Sequence, residues 1–159
     1  MNKIESFQVN HLNLKRGIYV SRKDNIGEYV VTTFDIRMKE PNNEPVMNTA
    51  EIHTIEHLGA TFLRNHSIYN NKTVYFGPMG CRTGFYVIFK GDLKSENIID
   101  IIKEMFYFIM NFSNEVPGAD ARSCGNYLDM NLPMAKYEAE KFYNEILCNL
   151  TKENLIYRD

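Results

Sequence analysis

The sequence predicts an α+β domain in which helices pack against an antiparallel sheet. Short runs of alternating apolar and polar residues, bounded by turn residues, dominate the first half of the chain and are typical of hairpins. Three segments with helical apolar spacing do not alternate regularly with these strands, so the pattern favours an antiparallel sheet. A length of 159 residues fits a single domain that spans residues 1–159.

The predicted sheet begins with a hairpin. Segments 17–20 and 29–38 flank the turn residues Asp24-Asn25-Ile26-Gly27. Apolar and polar residues alternate in the second half of segment 29–38, so one face of this strand should be buried and the other polar. Two further strands are expected at 74–76 and 84–90.

Three helices are predicted, at 49–65, 96–112 and 132–149. Asn48 or Thr49 is expected to cap the first helix, and Ser95 the second. The aromatic run Phe106-Tyr107-Phe108 is interpreted as core. Cys148, which lies among apolar residues of the last helix, is interpreted in the same way.

Composition excludes several classes of function. The formal net charge is −2, and Lys and Arg are scattered, so neither nucleic acid nor anionic lipid is an expected partner. The first six residues lack the apolar stretch of a secretory signal, and the apolar-rich segment 98–110 is too short to span a bilayer. Three cysteines without an export signal indicate reduced thiols, so we expect a cytoplasmic protein.

The segment His53-Thr54-Ile55-Glu56-His57 is the most informative motif. Residues three and four apart share one face of a helix, so both imidazoles and the carboxylate of Glu56 point the same way. Two imidazoles one turn apart can bind one divalent cation. The order His-x-x-Glu-His also occurs in inverted zinc peptidases. The motif therefore predicts a metal site without deciding its chemistry.

Two cysteines could complete such a site. Cys124 precedes Gly125-Asn126 and would give a His₂Cys set with a fourth position open for water or substrate. The alternative is a small buried thiol. Cys81 follows the turn Gly77-Pro78-Met79-Gly80 and precedes Arg82, where nearby cationic groups can favour a thiolate. A half-buried turn residue is the alternative there, and the residues alone leave both choices open.

Several separate motifs, taken in order, resemble the S-ribosylhomocysteine lyase family over nearly the whole chain. The resemblance is carried by Ser6-Phe7 with His11, Phe34–Arg37, Ile52–Leu58, Gly77–Tyr86, Glu115–Pro117, Cys124–Tyr127 and Ala135-Lys136. One departure is visible, because the family often has His-Asp-Leu where this chain has Met130-Asn131-Leu132. That departure weakens any role for an acidic residue at this helix start and touches no proposed ligand.

The resemblance implies roles for residues that spacing left undecided. His53, His57 and Cys124 match the family's metal ligands, and Glu56 and Cys81 match its acid/base pair. The residues that match the substrate pocket are Ser6, His11, Arg37 and Arg64. The implied metal is one Fe(II) per subunit, with Zn(II) or Co(II) able to substitute. A homodimer with active sites at the interface is also implied.

The implied reaction cleaves S-ribosylhomocysteine to homocysteine and 4,5-dihydroxy-2,3-pentanedione, the autoinducer-2 precursor. Two aldose–ketose shifts carry the carbonyl from C1 to C3, and β-elimination then breaks the thioether bond at C5. In this scheme Cys81 moves carbon-bound protons, and Glu56 relays protons among the oxygens and takes the C4 proton. Whether the product serves quorum sensing or only homocysteine recycling in the activated methyl cycle stays open.

Two other functions are compatible with parts of this pattern. An inverted-zincin-type metallopeptidase would use Glu56 to activate a metal-bound water, although such enzymes usually take a downstream Glu as third ligand. A structural metal domain would need a fourth protein ligand. His11 and His66 are the only spare histidines in the sequence.

Overall fold

An antiparallel sheet of four strands forms one layer of the molecule, in the order β1 (Gly17–Ile26), β2 (Tyr29–Arg37), β4 (Gly84–Lys90) and β3 (Thr73–Pro78). The computed structural model describes residue 4 and residues 8–157. The elements in chain order are β1 (Gly17–Ile26), β2 (Tyr29–Arg37), α1 (Thr49–Asn65), β3 (Thr73–Pro78), β4 (Gly84–Lys90), α2 (Ile99–Met110) and α3 (Leu132–Glu145). The predicted α+β class, with helices packed on an antiparallel sheet, is confirmed.

The first hairpin is longer than the sequence predicted. β1 continues to Ile26, which pairs with Tyr29, so the turn consists of Gly27 and Glu28 only. Gly27 has a φ of 62°, a conformation that suits glycine in two-residue hairpin turns. The predicted turn at 24–27 was therefore placed too early, because polar residues at the end of β1 resemble turn residues.

The helices begin close to their predicted positions but end differently. Asn48 caps α1, and its backbone N–H donates to Glu51 Oε1 at 2.6 Å. Ser95 does not cap α2: its hydroxyl donates to the Leu155 carbonyl, and a 3₁₀ turn, Ser95–Ile98, precedes the helix. The last helix ends at Glu145, followed by a 3₁₀ turn over Leu147–Asn149.

Two predictions of burial were wrong. Cys148 is exposed, because α3 has ended before it and the 3₁₀ turn directs it outward. Tyr107 is 55% exposed, whereas its neighbour Phe106 is fully buried, as expected for residues about 100° apart around a helix.

The helical layer positions the His-x-x-Glu-His motif. Ile52, Ile55 and Leu58 of α1 belong to the hydrophobic core, so the neighbouring face of the helix presents half-buried histidines and Glu56. The helix approaches β3 closely at Gly59, where a Cβ atom would lie 2.4 Å from the Phe76 ring. This contact leaves no room for a side chain at position 59, and it sets the distance between α1 and the sheet.

The other face of the sheet carries polar residues that are nevertheless buried. Asp35 and Arg37 alternate with the core residues of β2 and are almost completely shielded from solvent. The C-terminal segment provides part of the cover, because the Tyr157 ring stacks on Tyr19 with ring centroids 4.7 Å apart. None of the helices in residue 4 and residues 8–157 combines the length and apolar character that a membrane span requires.

Candidate metal centre and reactive thiol

The three side chains predicted as metal ligands lie together. The Nε2 atoms of His53 and His57 are 3.1 Å apart, and Cys124 Sγ is 3.4 Å from His53 Nε2. These ligand atoms all lie within 4.8 Å of one another, which is close enough to share one cation. The helix brings the imidazoles together, and the fold adds a thiol from a segment about seventy residues downstream.

Backbone carbonyls orient both imidazoles. His53 Nδ1 is 3.0 Å from the Asp129 carbonyl oxygen, and His57 Nδ1 is 2.8 Å from that of Pro117. Since a carbonyl oxygen only accepts hydrogen bonds, Nδ1 is the donor in each ring, and the two Nε2 atoms face each other. Two Nε2 atoms and a sulfur at this spacing form a donor set suited to one cation. The residues therefore fit a bound divalent metal ion.

The segment that carries Cys124 is ordered by its own hydrogen bonds. The Cys124 N–H donates to the Asp120 carbonyl at 3.0 Å, and the Asn126 N–H lies 3.4 Å from the Cys124 sulfur. The Asp120 carboxylate accepts the N–H groups of Arg122 and Ser123. These bonds hold the thiol before any ligand is bound, which is the preorganisation that a metal site needs.

No fourth side chain completes a closed set among the described residues, where the group contains only the two histidines and the cysteine. The spare histidines have other partners. His66 Nε2 lies 3.2 Å from Glu104 Oε2, and His11 Nδ1 lies 2.8 Å from the Val9 carbonyl oxygen. This arrangement favours a site with an open position over the structural metal domain.

A cavity of about 390 Å³ adjoins the metal triad. Its lining comprises Thr49, Ile52, His53, Glu56, Pro78, Met79, Gly80, Arg82, Asn126 and Asp129. The half-buried Glu56 therefore faces the same space as His53, and the two neighbours of Cys81 in the chain form another wall. Ligand, carboxylate and cysteine loop thus meet around one space large enough for a small sugar-like molecule.

The turn that carries Cys81 is held by backbone hydrogen bonds. The Arg82 N–H donates to the Met79 carbonyl at 2.9 Å, and the Met47 N–H donates to the Arg82 carbonyl at 3.2 Å. Arg82 has a φ of 60°, a left-handed conformation that is uncommon outside glycine. The hydrogen bonds hold Arg82 in this conformation, and a strained backbone of this kind is frequent in functional loops.

Arg37 and Thr83 form a short hydrogen-bonded path to the Cys81 sulfur. The Arg37 guanidinium donates to the Thr83 hydroxyl, whose oxygen lies 3.0 Å from Cys81 Sγ. Because Arg37 can only donate, the hydroxyl hydrogen of Thr83 is free to bond to the sulfur. The guanidinium also lies directly beside the sulfur, with Nη1 to Sγ at 3.8 Å.

These contacts favour the thiolate form of Cys81. Partial burial raises the pKa of the thiol. The hydrogen bonds from the Thr83 hydroxyl and backbone N–H, together with the charge of Arg37, oppose burial and leave the pKa below its usual value. Arg37 is thus a cationic group close enough to Cys81 to favour its thiolate.

A buried carboxylate positions Arg37. Asp35 Oδ2 accepts hydrogen bonds from Arg37 Nη2 and from the Tyr157 hydroxyl, the latter at 2.8 Å. Burial raises the pKa of Asp35, and the adjacent guanidinium and the Tyr157 hydroxyl limit that rise. Among the described residues, Asp35 Oδ1 and Arg37 Nε have no hydrogen-bond partner.

The remaining residues predicted for the substrate pocket are spread over three places. Ser6 lies outside the described residues. His11 is half-buried and close enough to Asp35 for its charge to lower the pKa of that carboxyl. Arg64 is exposed, donates to the Val74 carbonyl at 2.9 Å and is not part of the cavity lining. The chain thus brings Arg37 to Cys81 but does not bring Arg64 to the cavity.

Sequence reasoning missed several residues that organise the site. Thr83, Asp35 and Tyr157 were not singled out, although Asp35 and Arg37 stand two apart on a predicted strand and so share a face. That spacing is a usable signal. Tyr157 carries none, because its partner lies 122 residues earlier in the chain.

Comparison with known proteins places this site in a family. The family model described as S-Ribosylhomocysteinase (LuxS) matches residues 4–153. The chain belongs to the S-ribosylhomocysteinase family. It is 63% identical over 157 residues to S-ribosylhomocysteine lyase of Clostridium beijerinckii, with 99% of each chain covered. It is 65% identical to the protein of that name in Clostridium acetobutylicum, again over 99% of each chain.

A third relative, of lower identity, matches over the full length of both chains. S-ribosylhomocysteine lyase of Porphyromonas gingivalis is 60% identical over 159 residues, which is 100% of each chain. S-ribosylhomocysteinases of this kind are carbon–sulfur lyases, so the predicted family and enzyme class are confirmed.

Proposed function

We propose that this protein cleaves S-ribosylhomocysteine to homocysteine and 4,5-dihydroxy-2,3-pentanedione in a metal-dependent reaction. The observation that carries the proposal is a His₂Cys group beside a cavity lined by Glu56 and by the neighbours of a thiolate-favouring cysteine. The substrate is that of the relatives, which are S-ribosylhomocysteine lyases. A peptidase is disfavoured because the third member of the group is Cys124 and not a glutamate.

His53, His57 and Cys124 would hold the metal ion through two neutral imidazoles and one thiolate. We propose Fe(II) as the native ion, with Zn(II) or Co(II) able to replace it. Affinity for such a nitrogen and sulfur set is generally higher for zinc than for iron(II), so aerobic purification should favour zinc. When bound, a divalent ion supplies Lewis-acid polarisation of substrate oxygens.

Cys81 is proposed to move protons on the carbon skeleton during the two aldose–ketose shifts. Each shift removes a proton from the carbon next to a carbonyl and returns one to the former carbonyl carbon. A thiolate stabilised by Arg37 and Thr83 can accept a proton, and the resulting thiol can return it.

Glu56 is proposed to serve the oxygens and the elimination step. Its carboxylate lines the cavity beside His53, where it can pass protons between neighbouring substrate hydroxyls. Once the carbonyl is at C3, the C4 hydrogen is acidic, and Glu56 removes it. The C4–H electron pair then forms the C4–C5 double bond, the C5–S bond breaks, and sulfur leaves as a thiolate that becomes the homocysteine thiol on protonation.

A homodimer is proposed to complete the pocket, with Ser6 and His11 contributed across the interface. Arg37 is a further proposed substrate contact, and we propose a cytoplasmic location. The cavity beside His53 and Glu56 opens to solvent, which leaves a place for residues of a neighbouring subunit. Sedimentation of an active monomer at assay concentration would contradict the dimer.

The test of function is thiol release from S-ribosylhomocysteine by protein purified without oxygen. We expect stoichiometric homocysteine from metal-loaded protein and little from protein stripped by a chelator, with recovery when Fe(II) or Co(II) is added. A panel of peptides serves as the competing substrate. Peptide hydrolysis without thiol release would reject the lyase and favour the metallopeptidase.

A further inference from the structure

We infer that Thr54 is a positioning residue of the metal centre, whose hydroxyl ties segment 129–131 to α1 and so holds the carbonyl that orients His53. The inference rests on the proposed metal site and adds a residue outside the ligand set and the acid/base pair. Thr54 lies inside the His-x-x-Glu-His motif at a position with no chemical role of its own.

The Thr54 side chain is fully buried and makes two good hydrogen bonds. Its hydroxyl donates to the Ala50 carbonyl at 2.8 Å, one turn earlier in the helix. The same oxygen accepts the Asn131 N–H at 2.9 Å. The Met130 sulfur lies 3.5 Å away. The Ala50 carbonyl is the closer of the two acceptors for the hydroxyl hydrogen, and the oxygen keeps a lone pair for the Asn131 N–H.

The anchored segment also carries the partner of a ligand. The Asp129 carbonyl, two residues before Asn131, accepts the His53 Nδ1–H at 3.0 Å. Consecutive residues of α1 therefore bond to the same short segment, one through an imidazole and one through a hydroxyl. With Asn131 fixed, the Asp129 carbonyl can move little, and the His53 ring keeps its Nε2 towards the metal position.

The far end of the segment is equally fixed. Asn131 is the N-cap of α3, and its side chain accepts the Met134 N–H at 3.1 Å. The bond to Thr54 thus connects α1 to the N-terminus of α3. Upstream, the same segment leads back to Cys124, so one hydroxyl restrains the chain that supplies both a ligand and a ligand partner.

His57 provides an internal contrast. Its Nδ1 bonds to the Pro117 carbonyl, which lies in a different segment and has no bond to Thr54. Loss of the Thr54 hydroxyl should therefore loosen the His53 side of the site while His57 keeps its orientation. A general loss of stability would instead affect the His53 and His57 rings alike.

The experiment measures Co(II) affinity by competition with a chelator, together with the Co(II) absorption spectrum. Thr54→Val keeps the shape of the side chain and removes the acceptor, and we expect affinity to fall roughly 10- to 100-fold, the usual cost of losing an outer-shell partner. Thr54→Ser restores the hydroxyl and should bind like wild type. Thr73→Val is the matched control, since the hydroxyl of this buried threonine also donates to a carbonyl four residues earlier, that of Tyr69, away from the site.

Thr54→Ala is measured in parallel in case the valine variant does not fold, because alanine is smaller and favours helix. Folded Thr54→Val or Thr54→Ala with wild-type affinity and spectrum would overturn the inference. Equal weakening in Thr73→Val would overturn it as well, since the effect would then be general. Failure of wild-type protein to bind Co(II) would instead reject the proposed metal site itself.

Discussion

The two halves of the candidate active site are built in different ways. In the metal half, neutral backbone carbonyls of Asp129 and Pro117 orient the imidazoles. In the thiol half, the Arg37 guanidinium lies beside Cys81 and also bonds to Thr83, and the Asp35 carboxylate holds Arg37 in place. The path of the backbone thus organises the metal half, and the balance of charge between Asp35 and Arg37 organises the thiol half.

This difference suggests a division of sensitivity. Backbone carbonyls cannot be titrated, and no single side-chain change removes them, so the metal half should tolerate changes outside its ligands and Thr54. A thiol that depends on a buried ion pair should respond to small changes in that pair and to pH. Variants in each half therefore test this difference.

The largest effect is expected from the ligands. Replacing His53, His57 or Cys124 by Ala should remove most bound metal, because two remaining ligands hold a divalent ion far less well than three. The loss should exceed the roughly 10- to 100-fold cost of removing an outer-shell partner. Metal content by elemental analysis measures it, with His66→Ala as the control histidine. A full equivalent of metal in Cys124→Ala, with an unchanged cobalt spectrum, would show that Cys124 is not a ligand.

A second large effect should leave the metal in place. Cys81→Ala and Glu56→Gln are each expected to lose on the order of 10²–10⁴-fold in homocysteine release, the usual cost of one positioned acid or base. Both should still bind about one metal ion, since neither belongs to the His₂Cys group.

The reaction should stop at a different stage in each of the two variants. Without Cys81 the first carbonyl shift stalls and no ketose accumulates, whereas Glu56→Gln retains the thiolate and can still exchange carbon-bound hydrogen with deuterated solvent. NMR of the substrate, beside a thiol assay, distinguishes these outcomes. Near-normal homocysteine release by Cys81→Ala would refute the role given to this cysteine.

The metal half was more predictable from sequence than the thiol half, for a physical reason. Helical periodicity places His53, Glu56 and His57 on one face, so local spacing alone indicated a site. The third member, Cys124, reaches the pair only through the tertiary fold, and the residues alone left it open. Family resemblance supplied it.

The surroundings of Cys81 illustrate the limit of local patterns. A strand alternation put Asp35 and Arg37 on one face, but nothing in the sequence joined them to Tyr157, whose ring and hydroxyl arrive from the end of the chain. The same limit explains Ser95, which looked like a helix cap and instead bonds to the C-terminal segment. In both cases a contact with the C-terminal segment, distant in sequence, determines the role of the residue.

A moderate effect is expected from Thr83→Val. This change keeps the side-chain shape but removes the hydroxyl that connects Arg37 to the Cys81 sulfur. Because these hydrogen bonds help to hold the pKa of Cys81 below its usual value, that pKa should rise in the variant. At neutral pH a smaller fraction of the thiol is then ionised, and alkylation by iodoacetamide slows.

The pH dependence of alkylation at Cys81, followed by mass spectrometry of the labelled peptide, measures this change. The midpoint in wild type should lie below that of a free cysteine, about 8.5, and should move upward in Thr83→Val. Thr33→Val, a buried threonine elsewhere on β2, is the control and should leave the midpoint unchanged. An unchanged midpoint in Thr83→Val would assign the thiolate to Arg37 alone.

The smallest effect is expected from Tyr157→Phe, which removes one hydrogen bond to the Asp35 carboxylate and keeps the ring stacked on Tyr19. A hydrogen bond to a charged group is worth roughly 1.5–3 kcal/mol at most in such a setting, so the free energy of unfolding should fall by about that or less. The hydroxyl favours the ionised carboxylate, and its loss raises the pKa of Asp35 further.

The sign of the pH dependence follows from that shift. Above the pKa of Asp35 in the variant, the carboxylate is charged in both proteins and the full stability difference is present. As pH falls through the pKa values of the two folded proteins, the carboxyl is protonated in both and the difference shrinks. Denaturant unfolding at several pH values measures it, with Tyr107→Phe, whose side chain is exposed, as control. A difference that grows towards acid pH would mean that Tyr157 stabilises the protonated form, and that charge balance does not organise the thiol half.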